Sequence, residues 1–145
     1  MTRPGRFELR VAHTAELEPA ELVAHASLIM RRLRYRGRAL RSGYVEGVAV
    51  RKDLRRRGPG AAVMEPLERI IRNAYDVGAL GATDEAAAFY AGRGWLPWQG
   101  KTFTLTPTGV NRTSDDDDCI FVFPAEAGLD RTAELTCDWR NGSAW

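Results

Sequence analysis

Residues 55–60 read Arg55-Arg56-Arg57-Gly58-Pro59-Gly60 and connect an apolar run, residues 45–50, to a stretch with helical spacing, residues 61–75. The two glycines allow a tight turn, and a helix begins with main-chain N–H groups that have no partner inside the helix. These donors and the helix dipole favour an anion, and neighbouring arginines add charge-assisted hydrogen bonds to phosphate oxygens. The sequence therefore predicts a phosphate-binding turn between a strand and a helix. A solvated, arginine-rich loop is the alternative.

This turn differs from two common phosphate-binding motifs. No Gly-Lys-Ser/Thr follows, so it is not a Walker A loop, and the three-glycine spacing of dinucleotide-binding folds is absent. The Arg-x-x-Gly-x-Gly spacing instead resembles the pyrophosphate-binding loop of the GNAT superfamily of acetyl-CoA-dependent N-acetyltransferases. The resemblance implies that the pyrophosphate of acetyl-CoA is held by Arg55, Arg56, Arg57, Gly58, Pro59, Gly60 and Ala61.

Length and composition favour one globular domain. The chain has 145 residues and a formal net charge of +2, enough length for a hydrophobic core without metals or disulfides. Cys119 and Cys137 lie far apart and lack metal-ligand spacing, which predicts two reduced thiols and no metal. No apolar run is long enough to span a membrane and no leader precedes the domain, so we expect a cytoplasmic protein without a membrane partner.

Charge is unevenly distributed along the chain. Arginines crowd residues 31–57, whereas residues 115–118 are four consecutive aspartates. A protein with one basic face and one acidic face could bind an anionic cofactor and a cationic substrate at once. The alternative is a pair of solvated surfaces.

The pattern of elements predicts a mixed α/β fold around a central sheet. Helices are predicted over residues 61–75, where Pro66 should kink or loosen the helix, and over residues 84–93, with Asp84 as N-cap and Gly94 as its stop. Residues 22–50 look like one long hairpin that turns at Arg36-Gly37. The other predicted strands cover residues 7–13, 78–82, 102–105, 120–123 and 133–138, with a polar loop carrying the aspartates between the strands 102–105 and 120–123.

A second element supports the resemblance to acetyltransferases. Residues 86–95, Ala-Ala-Ala-Phe-Tyr-Ala-Gly-Arg-Gly-Trp, resemble the GNAT helix in which small side chains precede an aromatic-Tyr pair. In that family the small side chains let a cofactor arm lie along the helix, and the tyrosine, here Tyr90, points at the reacting sulfur. An alanine-rich helix with a core tyrosine is the structural alternative.

Further stretches narrow the resemblance to the aminoglycoside 2'-N-acetyltransferases of actinobacteria. These stretches are residues 35–50, 94–98, 107–109, 115–118 and the ending 134–145. The similarity is collinear from about Leu22 onward. It implies the GNAT acyltransferase fold in an N-terminally abbreviated form, because the family's two early helices and second strand have no counterpart here. Gly81 stands where relatives can carry serine, and Ser143 replaces an acidic residue. Family members lead us to expect a homodimer.

The resemblance also implies roles for individual residues. Main-chain groups of Val48 and Val50 would bind the pantetheine arm, and the Val48 N–H would meet the oxyanion. Glu46 would be the base and Tyr90 the acid that protonates the leaving thiolate. The acceptor would be bound by Glu46, Gly47, Asp116 and the α-carboxylate of Trp145. For Glu46, pairing with one of the many arginines is the alternative.

Together these features predict an enzyme that acetylates an amine of a polycationic amino sugar, most directly the 2'-amine of an aminoglycoside. The alternative within the family is a truncated member that binds coenzyme A but has lost or altered acceptor activity. A nucleic-acid-binding module built on residues 31–57 is disfavoured, because few aromatic residues are interleaved and the acidic half would repel phosphate.

Overall fold

The computed structural model describes residues 6–13, 21–54 and 58–145. Within these ranges nine strands form one mixed sheet with helices packed against it, which confirms the predicted α/β class. The helices are α1 (Pro59–Ala74) and α2 (Asp84–Gly92). The strands are β1 (Arg6–His13), β2 (Glu21–Tyr35), β3 (Arg38–Val50), β4 (Val77–Gly81), β5 (Leu96–Pro97), β6 (Thr102–Thr106), β7 (Gly109–Arg112), β8 (Ile120–Phe123) and β9 (Leu135–Cys137). Their order is β5-β8-β4-β3-β2-β9-β6-β7, and β1 also pairs with β2.

The long hairpin β2–β3 forms the centre of the sheet. Arg36 and Gly37 both have positive φ, 47° and 75°, so they make the two-residue turn that suits the strand twist. Beyond the turn the two strands pair antiparallel as far as Ala24 and Val50. The outer side of β2 is divided, because its first part pairs with β1 and its last three residues pair with β9. The predicted hairpin is confirmed.

Helix α1 begins directly after Gly58, whose φ of 104° is open to glycine and strained for other residues. The helix starts two residues earlier than the spacing suggested and continues through Pro66. Proline removes one intrahelical hydrogen bond, but the helix still packs a buried apolar stripe on the sheet. That stripe comprises Val63, Met64, Leu67 and Ile71.

Helix α2 corrects one expectation about its start. Thr83 occupies the N-cap position, and Asp84 is the first helical residue, where its charge still suits the positive end of the helix. At the other end Gly94 has φ 91°, and the Trp95 N–H donates to the Tyr90 carbonyl. The chain therefore turns sharply after α2, as the predicted glycine stop requires.

Two short strands were missed by the sequence patterns. β7 lies inside the segment predicted as a polar loop, and all four of its residues are exposed, so it has no apolar alternation to detect. β5 contains only two residues and pairs with β8. The strand expected over residues 133–138 is shorter, only Leu135–Cys137.

Candidate functional site

The central feature of the site is a bulge in β3, together with the point at which β3 stops pairing with β4. Ser27 lies opposite Glu46 and His25 opposite Ala49, so Gly47 and Val48 together face a single residue of β2. Gly47 has φ 65° and its carbonyl oxygen lies 2.8 Å from His25 Nδ1. On the other side, the parallel pairing with β4 ends at Val45. From there the two strands separate, which opens a groove between β3 and the start of α2.

The larger cavity of this groove, 690 Å³, lies between β3 and the N-terminus of α1. Gly58, Gly60 and Ala61 line one side, and Val48 to Val50 line the other. Because Pro59 is the first helical residue, the N–H groups of Gly60 and Ala61 are among the donors that a helix leaves without partners. The predicted cofactor residues are thus brought together, except that Arg55, Arg56 and Arg57 lie outside the described residues.

Gly60 permits a close approach between α1 and α2. A Cβ atom on Gly60 would lie 3.2 Å from Phe89 Cζ and 3.6 Å from Val50 Cγ2. Any larger side chain would push against the Phe89 ring and narrow the cavity. A side chain at residue 60 would therefore require the Phe89 ring to shift, whereas residue 58 favours glycine because of its left-handed backbone conformation.

A second cavity of 290 Å³ continues from the first toward the middle of the sheet. Both cavities are lined by Val48, Thr83, Ala86 and Tyr90, so they form one groove. The smaller cavity is lined in addition by Tyr44, Val45, Glu46, Gly47, Leu80, Gly81, Ala82 and Trp145. Of the predicted site residues, Glu46, Gly47 and Trp145 therefore lie at one end of the groove, Tyr90 lies in its shared middle, and Gly58, Gly60 and Ala61 lie at the other end.

Glu46 forms the ion pair with an arginine that the structural alternative predicts, and its role as the base stays a prediction. The residue lines the smaller cavity, and its Oε2 accepts a hydrogen bond of 2.7 Å from Arg140 Nη1. About a third of each side chain is exposed, 30% for Glu46 and 27% for Arg140, so the pair lies at the cavity wall and not in the core. Glu46 is thus a strand carboxylate paired with an arginine and also a group that a ligand in the cavity would meet.

Tyr90 lies where the two cavities meet. Its side chain is buried beside Phe89, Trp95 and Phe121, with ring centroids 5.1 to 6.5 Å away. Burial raises the pKa of Tyr90 above its ordinary value of 10.0. The phenol therefore stays neutral at physiological pH and is available as a hydrogen-bond donor.

Trp145 closes the smaller cavity from the C-terminal side. Its side chain is 7% exposed, and its Nε1 donates to Thr113 Oγ1 over 3.1 Å. Asp116 is not among the residues that line either cavity, but its N–H donates to the Thr113 carbonyl. Burial, followed by the charges of Asp115 and Asp117, raises the pKa of Asp116.

Tyr44 and Gly81 complete the floor of the smaller cavity, and the sequence arguments assigned Tyr44 no role. Tyr44 lies two residues before Glu46 on β3, so the alternation of a strand places both on one face. Burial raises the pKa of Tyr44 to about 12, although the guanidinium groups of Arg31 and Arg140 act against it. A Cβ atom on Gly81 would lie 3.6 Å from the Tyr44 hydroxyl, so a small side chain would fit at this position.

Arg140 is the other residue that the sequence patterns missed. The chain separates it from Glu46 by 94 positions, and only the path of the C-terminal segment brings the two together. Its Nε donates to the Ser143 carbonyl over 2.7 Å, and its Cζ lies 5.4 Å from the centroid of the Tyr44 ring.

Two classes of feature are absent from the described residues. In ranges 6–13, 21–54 and 58–145, no three His, Cys, Asp or Glu side chains are grouped in a way that could hold a metal ion. None of the helices in those ranges has the length and apolar character needed to cross a membrane.

The comparisons with known proteins agree with this geometry. Residues 6–95 match the family model "Acetyltransferase (GNAT) family". An aminoglycoside 2'-N-acetyltransferase of Mycolicibacterium fortuitum is 55% identical over 128 residues, which is 86% of this chain and 66% of that protein. The chain therefore spans just under two thirds of the length of this relative.

Solved structures with the same fold are more distant in sequence. The KacTA–DNA complex has a TM-score of 0.61 at 13% identity and covers 87% of this chain and 72% of its own. A mutant of the AtaT toxin, bound to the C-terminus of the antitoxin AtaR and acetyl-CoA, has a TM-score of 0.55 at 14% identity. That match covers 74% of this chain and 62% of the toxin chain. At these identities the likeness shows the fold alone.

Proposed function

We propose that this chain, which belongs to the acetyltransferase (GNAT) family, transfers an acetyl group from acetyl-CoA to an amine of a polycationic amino sugar. The most direct acceptor is the 2'-amine of an aminoglycoside, because the relative at 55% identity carries that activity in its name. The observation that supports the proposal best is the single groove, with the N-terminus of α1 at one end and Glu46 with Trp145 at the other.

The larger cavity suits acetyl-CoA. The partnerless N–H groups of Gly60 and Ala61, together with Arg55 to Arg57, would bind the pyrophosphate. Val48 and Val50 would hold the pantetheine arm through main-chain groups, in the manner of an added strand. The thioester would then reach the shared part of the groove at Ala86 and Tyr90.

The reaction requires the acceptor amine to lose a proton. A lysine-like amine is about a thousandfold protonated at neutral pH, so a carboxylate or a water beside it has to take that proton. Glu46 is the side-chain carboxylate of the smaller cavity, and it would take this proton directly or through a water. The Val48 N–H would stabilise the oxyanion that forms when the amine attacks the thioester carbon. Tyr90 would donate a hydrogen bond to the departing thiolate sulfur.

The smaller cavity suits a cationic acceptor. Glu46 and the α-carboxylate of Trp145 would bind ammonium groups, and Gly47 would contribute main-chain atoms. Asp116 would meet a more distant amine of the acceptor, since it lies beside the Thr113 that holds Trp145. A cytoplasmic location and a homodimer stay predictions.

Two measurements test the proposal. Calorimetry should detect coenzyme A binding to the folded protein, and a thiol-release assay should show turnover with aminoglycosides that carry a 2'-amine. Matched acceptors without that amine should give much slower release. Glu46→Gln should lose turnover, whereas Glu65→Gln, which removes an exposed carboxylate on α1, should not. Binding of coenzyme A without acetylation of any amine would instead support the alternative of a member that has lost acceptor activity.

A further inference from the structure

We propose that Arg140 is a positioning residue of the acceptor site, which acts by fixing the Glu46 carboxylate against the C-terminal segment. This inference rests on the proposed function, because it concerns the same acceptor site. Arg140 itself is not among the residues that line the cavity. Its effect on an acceptor would therefore be transmitted through Glu46.

The contacts of Arg140 join two walls of the smaller cavity. Nη1 donates to Glu46 Oε2 on β3, and Nε donates to the Ser143 carbonyl, both over 2.7 Å. Ser143 Oγ in turn donates to the Trp145 main-chain oxygen over 2.8 Å. The Arg140 guanidinium thus links the Glu46 carboxylate, on one wall, to the C-terminal segment. That segment ends at Trp145, whose side chain forms the opposite wall.

The position of Arg140 is itself fixed by packing. Its Cζ lies 5.4 Å from the centroid of the Tyr44 ring, a buried side chain that also lines the cavity. The planar guanidinium can use two donors in fixed directions, which an ammonium group on a flexible stem cannot reproduce. The geometry therefore favours arginine at this position over any residue that supplies charge alone.

A nearby arginine has a different task. Arg31 donates to Asp138 Oδ1, to the Asp138 carbonyl and to the Ala144 carbonyl, so it holds both ends of the C-terminal segment to β2. None of these three hydrogen bonds involves Glu46. Arg31 secures the segment, whereas Arg140 connects that segment to the carboxylate that the acceptor meets.

A carboxylate held in one orientation binds an ammonium group with less loss of side-chain freedom than a mobile one. Removal of Arg140 should therefore weaken acceptor binding and slow transfer, while the cavity at the N-terminus of α1 keeps its shape. The effect should disappear when Glu46 can no longer act, because Arg140 contributes through that residue. A purely structural role would instead give losses that add to those of Glu46 substitution.

A double-mutant cycle on the full chain tests this. The proteins are wild type, Arg140→Met, Glu46→Gln and the double variant, with Arg140→Lys as the conservative change and Arg36→Met as control. Arg36 forms an exposed ion pair with Asp130 at the hairpin turn, away from the cavities. Calorimetry measures the dissociation constants of coenzyme A and of a 2'-amino aminoglycoside, the thiol-release assay measures kcat and KM, and thermal unfolding monitors folding.

We expect Arg140→Met to raise the aminoglycoside dissociation constant by about three- to tenfold, the effect of having to immobilise one more side chain on binding. Arg140→Lys should fall between wild type and Arg140→Met, and the coenzyme A dissociation constant should change less than about twofold. In the Glu46→Gln background, Arg140→Met should have little further effect. The cycle needs only the dissociation constants of the four proteins, so its outcome does not depend on whether the chain is catalytically active.

Three binding results would overturn the inference, and one turnover result would do so as well. The first is that the losses in binding caused by Arg140→Met and Glu46→Gln simply add. The second is that Arg140→Met binds the aminoglycoside as tightly as wild type or more tightly. The third is that wild type binds no aminoglycoside. The proposed function fails separately, when wild type acetylates no amine although it binds coenzyme A. Wild-type turnover that Arg140→Met retains in full would leave the function standing and remove the role of Arg140.

Discussion

Replacement of Tyr90 by phenylalanine removes one hydroxyl from the centre of the groove and leaves the packing of its ring in place. Tyr90 is 6% exposed and its ring contacts Phe89, Trp95 and Phe121, contacts that phenylalanine can keep. The larger cavity should therefore stay intact, because the end proposed to bind the pyrophosphate is lined by Gly58, Gly60 and Ala61. We expect the variant to bind coenzyme A normally and to turn over slowly.

The size of the effect follows from the two acids involved. Burial raises the pKa of Tyr90 above 10.0, whereas a thiol has a pKa of about 8.5. Complete proton transfer from the phenol to the thiolate is then unfavourable by at least about 2 kcal/mol, so in the proposed reaction Tyr90 would act mainly as a hydrogen-bond donor to the developing charge. Such a bond contributes about 1.5–3 kcal/mol, which corresponds to a kcat lowered by about 10- to 150-fold.

The assay is thiol release at saturating acetyl-CoA with a 2'-amino aminoglycoside, accompanied by calorimetry of coenzyme A binding. Tyr75→Phe is the matched control, since Tyr75 follows α1 and lines neither cavity. An unchanged kcat in Tyr90→Phe would refute the assigned role. So would a loss of kcat that merely accompanies an equal loss of coenzyme A affinity, because the hydroxyl would then be supporting the binding site.

Three further predictions concern stability and the cavity wall. Deletion of Trp145, a buried indole, should lower the free energy of unfolding by about 3–5 kcal/mol and weaken aminoglycoside binding, and a variant with unchanged urea midpoint would contradict this. For Tyr44, the folded state holds the phenol proton more tightly than the unfolded state. The stabilisation that the protonated phenol contributes to the folded state is therefore complete below pH 10 and is lost as pH rises toward 12. The unfolding free energy of wild type relative to Tyr44→Phe should fall by about 3 kcal/mol over that range, and a flat difference in urea titrations would disprove it. Arg93→Met leaves the Glu68 carboxylate without its bidentate cation and should cost about 3 kcal/mol in urea unfolding. Glu68→Gln, which keeps an acceptor for the Trp95 indole, should cost less, and the reverse order would be the contrary result.

Local signals in the sequence predicted most of the fold. The turn at Arg36-Gly37 and the stop at Gly94 each depend on neighbouring residues, and both are confirmed. β7 was missed because its four exposed residues carry no apolar pattern, although it pairs along its length with β6. Strand pairing of this kind is decided by the partner strand, which local periodicity does not contain.

Individual residues of the site could be predicted from the sequence, but the contacts between them could not. Glu46, Tyr90 and Trp145 were identified through resemblance to a family, and the structure brings all three to one cavity. The ion pair between Glu46 and Arg140 joins residues 94 positions apart, and no periodicity or motif links them. The bulge at Gly47 also escaped prediction, since a glycine in a strand indicates a bulge only when the register of both strands is known.

In the proposed reaction, the arrangement of charge along the groove would let one small domain hold two substrates of opposite charge. At one end, partnerless N–H groups and the helix dipole of α1 present positive potential to a diphosphate. At the other end, the cavity is lined by Glu46 and Trp145. The proposed reaction uses the Glu46 carboxylate and the Trp145 α-carboxylate as the negative groups there. Opposite potentials at the two ends would hold an anionic thioester and a polycation in opposite halves. Their reacting atoms could then meet only in the shared middle, beside the neutral Tyr90. A positive charge in the shared middle would attract the diphosphate away from α1 and repel the cationic acceptor. The small, uncharged side chains of Thr83 and Ala86 avoid both effects, so each substrate would stay in its own half of the groove.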